Sequence, residues 1–121
     1  MNTRSQTGGG GRAHAFKRSD CPVACALDLI GDKWTLLIVR DLFFGRSRYG
    51  EFLTAGERIP TNILAERLRR LQAAGLIKKT GARPRGTYHL TLKGRALGPI
   101  LRAVEAWGVR FVPGTRRRKK E

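Results

Sequence analysis

Apolar positions along the chain recur first at helical spacing, then briefly at strand spacing, then at helical spacing again. Val23, Ala26, Leu27 and Ile30 mark a first helix that stops at Gly31. Pro22 suits its first position, which puts Cys21 at the cap. Asp32 is placed to cap a second helix, with Trp34, Leu37, Ile38 and Leu42 as its stripe and Gly45 as its close. Lys33 and Arg40 fall off that stripe. A short third helix fits residues 48–53, with Tyr49, Phe52 and Leu53 inward, and Ala55-Gly56-Glu57 reads as a turn.

The segment that follows says most. Over residues 60–73, Leu64, Leu68 and Leu71 share one face of a helix, the last two within about 40° of Leu64, and Gly75 ends it. Asn62, Glu66, Arg69 and Ala73 lie opposite, Ile63 and Arg70 between, and Arg67 on the flank. Residues 76–80 and 87–91 then read as two short strands, with Tyr88 and Leu90 on one face. The turn between them carries Arg83 and Arg85. Thr91 is expected to cap one long final helix with a stripe of Leu97, Ile100, Leu101, Val104, Trp107 and Phe111. Gly98-Pro99 should bend it.

Four helices, a two-stranded hairpin and a last helix predict a mainly α (α+β) fold, a winged helix-turn-helix with a two-stranded β-wing and a C-terminal dimerisation helix. The predicted domain spans residues 20–112. Residues 1–19, with Gly8 to Gly11, form a flexible basic tail, and residues 113–121 a second basic tail that ends in a disordered charge block.

Charge narrows the choice of partner. The 121 residues hold 25 Lys+Arg against 9 Asp+Glu, a formal net charge of +16. The excess is +3 over residues 1–20, +9 over 21–112 and +4 over 113–121, so the folded part is basic in its own right. A polyanionic partner follows, since each Lys or Arg that meets a phosphate releases condensed counterions. No run of about 18 apolar residues predicts a membrane span. The N-terminus lacks the apolar core of a secretory signal, so a cytoplasmic protein is expected. Cys21 and Cys25 are too few for a disulfide scaffold, and His14 and His89 have no third ligand at a useful spacing. No metal, no cofactor and no enzymatic activity are expected, for the chain has no nucleophile triad, carboxylate pair or phosphate loop.

The residues expected to meet DNA are Thr61, Asn62, Arg67, Arg69 and Arg70 on the fourth helix and Arg83 and Arg85 in the wing, with Arg48 and Lys33 as backbone contacts. Asn62 suits an adenine edge. Each of these charges also has a simpler reading as a solvated surface. Cys21 is the one residue placed for chemistry, because a helix N-terminus near Lys17 and Arg18 favours the thiolate. The competing reading is a passive cysteine. A Cys21–Cys25 bridge within one helix has poor geometry.

Five blocks occur in order. They are Cys21-Pro22-Val23-Ala24 with Leu27-Asp28-Leu29-Ile30-Gly31-Asp32-Lys33-Trp34; Arg48-Tyr49-Gly50-Glu51-Phe52-Leu53; Asn62-Ile63-Leu64-Ala65-Glu66-Arg67-Leu68 through Gly75-Leu76-Ile77; Tyr88-His89-Leu90-Thr91-Leu92-Lys93-Gly94; and Trp107-Gly108. Over about residues 21–108 the chain resembles the HxlR-type transcriptional regulators, a bacterial group close to the MarR regulators. The resemblance implies a homodimer joined through the first and last helices, which points to Val23, Leu27, Leu101, Val104, Trp107 and Phe111 as interface. It implies a recognition helix in the major groove, a wing on adjacent DNA, and a sensing role for the cysteine before the proline, here Cys21. Two features depart from many members. The wing turn of residues 81–86 is short, and the recognition helix opens on Pro60-Thr61-Asn62. The expected function is a sequence-specific regulator, a homodimeric repressor on a pseudo-palindromic operator, responsive to oxidants or electrophiles through Cys21. The alternative is a non-specific, nucleoid-type architectural protein. The partners are double-stranded DNA and a second copy, with no membrane and no assigned effector.

Overall fold

In the computed structural model, which describes residues 17–82 and 85–118, eight elements follow one another. They are α1 (Pro22–Ile30), α2 (Thr35–Phe43), α3 (Tyr49–Leu53), α4 (Thr61–Ala73), β1 (Ile77–Thr80), β2 (Thr87–Leu90), α5 (Leu92–Arg95) and α6 (Gly98–Phe111). Arg83 and nearly all of the N-terminal tail expected to be flexible lie outside the described residues.

Pro22 starts α1 behind an extended Cys21. The N-cap position of α2 is Trp34 rather than Asp32; Asp32 stands in the turn just before it, its carboxylate accepting from the backbone N–H of Trp34 at 3.1 Å and of Thr35 at 3.2 Å, and from the Thr35 hydroxyl. Helix α2 is buried more widely than its predicted stripe. Ile38 and Val39 are in the core, while Trp34 and Leu42 are half-buried against it. Leu64, Leu68 and Leu71 of α4 are sealed against Phe52, Ile59, Leu76 and Tyr88 in the same core. The rings of Phe52 and Tyr88 meet edge-on at 6.2 Å.

The turn between α3 and α4 is held from α2. Arg40 donates from both terminal nitrogens to the Glu57 carboxylate at 3.0 and 2.8 Å, and it also bonds buried Asp41. Burial pushes the Asp41 carboxyl up from its ordinary value, with Arg40 and Arg46 only partly offsetting it. Gly75, at φ +78°, ends α4 and turns the chain into the hairpin. There Ile77 pairs with Leu90, Lys78 with His89, Lys79 with Tyr88 and Thr80 with Thr87, antiparallel. Tyr88 N–H also donates to Ser47 C=O at 2.8 Å, which fastens the wing to the loop before α3.

The expected single C-terminal helix is two. Thr91 caps only α5, accepting from Gly94 N–H at 3.1 Å and donating to Gly75 C=O at 2.6 Å. A Cβ at Gly94 would lie 2.1 Å from the Leu76 carbonyl oxygen, so glycine alone lets α5 dock there. The chain breaks after Arg95, and Pro99 sits at the start of α6, where its missing N–H costs no helical bond. Inside one helix its ring would meet the carbonyl of Arg95.

The C-terminal charge block also departs from expectation where it is described. Residues 112–118 turn back at Gly114. The Thr115 hydroxyl donates to Val112 and Gly108 C=O, and Arg117 pairs with Glu105 at 2.5 Å. Arg118 reaches to 3.9 Å of Glu57.

Candidate nucleic-acid interface

The N-terminus of α4 begins behind Pro60, which has no side-chain acceptor to offer. The first backbone N–H groups of the helix are therefore open to an outside acceptor, and the helix dipole favours an anion there. Thr61 and Asn62 stand exposed at this end. The Tyr49 hydroxyl donates to Thr61 C=O at 2.9 Å, so α3 fixes where the helix starts. Arg48, exposed, is the residue immediately before α3. Glu51 accepts from the backbone N–H of Ser47 and Arg48, and these bonds hold its carboxyl below the usual range.

Along α4 the three arginines part company. Arg69 is exposed. Arg70 is half-buried, with one guanidinium nitrogen 3.4 Å from Asp28 C=O. Arg67, expected at the DNA, turns inward instead. Its Nε donates to Asp32 at 2.7 Å, its side chain is 17% exposed, and it also bonds Glu66. A guanidinium committed to two carboxylates is not offered to phosphate, and Arg67 is corrected to a strut between α4 and the α1–α2 turn. Burial pushes the Asp32 carboxyl up, but the bonds from Arg67, Thr35 and Trp34 outweigh it and hold the group down at about 2.

In the wing, Arg85 is exposed, and Arg83 lies outside the described residues. Sequence reasoning passed over Lys78 and Lys79, both exposed on β1. Lys79 Nζ stands 5.4 Å from the Tyr88 ring centre. Two lysines beside an arginine-bearing turn were a visible signal. Lys33 is exposed and lies 5.3 Å over the Trp34 ring. Lys93 was also passed over. It donates to Ala74 C=O at 2.8 Å, where a cation complements the C-terminal dipole of α4.

Apolar side chains stand exposed on two other helices. Val23 and Leu27 of α1, and Val104, Trp107 and Phe111 of α6, are each more than half exposed, while Leu101 packs partly on the core. The Trp107 and Phe111 rings touch each other at 5.3 Å. Cys21 is exposed at the start of α1, and Cys25 is half-buried, its thiol donating to Ser19 C=O at 3.2 Å. Arg18 is occupied by Asp28 at 2.7 Å. Among the described residues no group of three His, Cys, Asp or Glu could hold a metal, and no helix is long and apolar enough to cross a membrane.

The chain is similar to known transcriptional regulators. An HTH-type transcriptional regulator of Synechocystis sp. is 37% identical over 91 residues, 73% of this chain and 67% of that one. The solved structure of PA1607, a transcription factor candidate, is 42% identical with a TM-score of 0.75, covering 84% of this chain and 74% of that one. The redox regulator HypR in its reduced form is 32% identical with a TM-score of 0.68, covering 74% and 92%. The chain spans about two-thirds of the length of the curated relatives it matches. The sequence signature of the HxlR-like helix-turn-helix group matches residues 29–116, and the chain belongs to that family of transcriptional regulators.

Proposed function

We propose that the protein is a homodimeric, sequence-specific repressor that places α4 in the major groove of each half of a pseudo-palindromic operator. The observation that carries this reading is the separation of two surfaces. The open N-terminus of α4, with Thr61, Asn62, Arg69, Arg85, Lys78 and Lys79 exposed nearby or in the wing, suits DNA. The exposed apolar side chains of α1 and α6 suit a second copy, because covering groups as large as Trp107 and Phe111 removes apolar area from water. A two-fold dimer sets half-sites about one helical turn, roughly 10 base pairs, apart. A competition gel shift tests it. The protein's own promoter region should displace labelled operator at far lower concentration than bulk genomic DNA does. Equal displacement by both would mean an architectural, sequence-blind protein.

Cys21 is the proposed sensor. It is exposed, it begins a helix of the proposed interface, and HypR, a similar structure, is a redox regulator. Cys21→Ser should bind operator with wild-type affinity yet lose release by diamide. A mutant that is still released by diamide removes Cys21 from the role.

A further inference from the structure

The turn between α3 and α4 holds the one residue other than glycine that has a positive φ among the described residues. Arg58 sits at φ +57°, in the left-handed region. There the Cβ of an L-residue crowds its own backbone, a cost that glycine escapes. The chain places glycine at the other positions of positive φ, Gly45, Gly75, Gly81 and Gly114. The turn fixes the conformation at 58. Arg58 N–H donates to Ala55 C=O at 3.2 Å, and both Ala55 and the next residue, Ile59, are buried.

The turn requires that conformation, but it does not require an arginine. The Arg58 side chain is exposed and has no hydrogen bond or ion pair among the described residues. The adjacent carboxylate, Glu57, is already taken by two bonds from Arg40, with Arg118 at 3.9 Å. An unpaired cation at a strained position does not stabilise the fold, so its use lies outside the chain. Its place in the fold says where. Arg58 stands three residues before Thr61, the first residue of α4, whose opening N–H groups have no side-chain cap.

We propose that Arg58 is a phosphate-contacting residue, its guanidinium gripping the DNA backbone beside the groove that α4 enters. The proposal rests on the DNA-binding reading above and adds to it a contact outside both α4 and the wing. A guanidinium can give two N–H groups to two phosphate oxygens. Buried Ile59 and the Arg40–Glu57 pair pin the turn, so the side chain starts from a fixed root. A phosphate contact carries no sequence information. Arg58 therefore adds affinity for duplex DNA of any sequence and sets the register of α4 without choosing bases.

The experiment compares Arg58→Gly, Arg58→Ala and Arg58→Lys in the full chain, for urea stability and for binding to the promoter region and to bulk genomic DNA. Arg58→Gly removes the left-handed crowding, and its urea midpoint should rise above that of wild type. The same variant should bind both DNAs about three- to tenfold more weakly, with the slope of log affinity against log salt smaller by about one. Arg58→Ala keeps the crowding. It should lose the same affinity without the gain in midpoint, which separates the lost contact from a loosened turn. Arg58→Lys keeps the charge and should retain most of the affinity. Wild-type affinity and salt slope in Arg58→Ala overturn the proposal. A loss confined to promoter DNA also overturns it, since Arg58 would then read a base. A lower midpoint in Arg58→Gly shows that the arginine stabilises the turn itself, and the proposal falls again. The sequence-specific regulator reading is scored separately, by the ratio of promoter to bulk affinity in wild type. Equal affinities there sink that reading and leave the phosphate contact standing.

Discussion

Helices α4 and α6 are nearly the same length, 13 and 14 residues, and each carries one apolar stripe. Their fates differ. The leucines of α4 are 0–2% exposed, whereas Val104, Trp107 and Phe111 of α6 are 54–60% exposed and only Gly98 of that helix is buried. Periodicity shows that a face is apolar and does not show what covers it. The stripe of α4 is covered by the chain's own core. The stripe of α6, together with Val23 and Leu27, stays exposed in the single chain. The polar faces differ in the same sense. Arg67 on α4 has an internal partner, while Arg69 has been left outward.

Truncating the buried stripe should have the largest effect. Leu64→Ala leaves a cavity in a sealed core and should cost about 2–5 kcal/mol, read as a drop in urea midpoint with unchanged slope. A loss under 1 kcal/mol would mean that the leucines of α4 do not hold the core together. On α6, Trp107→Ala should leave the fold intact by circular dichroism and weaken self-association by roughly 30-fold or more in sedimentation experiments, the size of an interface hot spot. A Trp107→Ala protein that associates as tightly as wild type would mean that the stripe of α6 is not covered by a second copy.

The sequence made one of these helices far more legible than the other. For α4, the leucine spacing, the glycine stop and the exposed Asn62 and Arg69 were all local signals, and each is found where local rules put it. The break before α6 was half legible, since Gly98-Pro99 announced a bend. The docking of α5 was not, because it depends on Gly94 settling against the Leu76 carbonyl, a close approach that no residue spacing reveals. The partner of Arg67 lies 35 residues away at Asp32, which could be read from the sequence only as a helix cap. The folded-back tail was hidden for the same reason. A run of arginines reads as solvated until Glu105 and Glu57 are known to lie beside it.

The two arginines allow a finer test of the comparison between inward and outward groups. Arg67→Ala should cost about 1–3 kcal/mol of stability, because it strips Asp32 of a charge-assisted bond in a half-buried place. The salt dependence of operator binding should be unchanged. Arg69→Ala should do the reverse. Stability should stay within about 0.5 kcal/mol of wild type, and the slope of log affinity against log salt should shrink by about one. If both variants change the slope alike, Arg67 contacts phosphate after all and its bond to Asp32 opens on binding.

The smallest effect, and the most specific to the inward group, is a pH dependence. Asp32 is held at about 2 in the folded chain, against an ordinary value of 3.8. A carboxyl whose folded value is depressed binds its proton less readily in the native state than in the unfolded one. Its contribution is therefore fully present above about pH 4 and fades as pH falls toward 2. Glu57 and Glu51 are depressed as well, the first chiefly by the hydrogen bond from Arg40 and the second by two backbone N–H groups, so acid sensitivity in wild type is a composite. The difference between wild type and Asp32→Asn isolates the one group. The two stability curves should converge as pH drops from 4 to 2, and Arg67→Ala should lose part of the same slope, since the strongest hydrogen bond holding Asp32 down has gone. Parallel curves for wild type and Asp32→Asn over that window would show that Asp32 and Arg67 are not paired in solution, and α4 would then be anchored by its leucines alone.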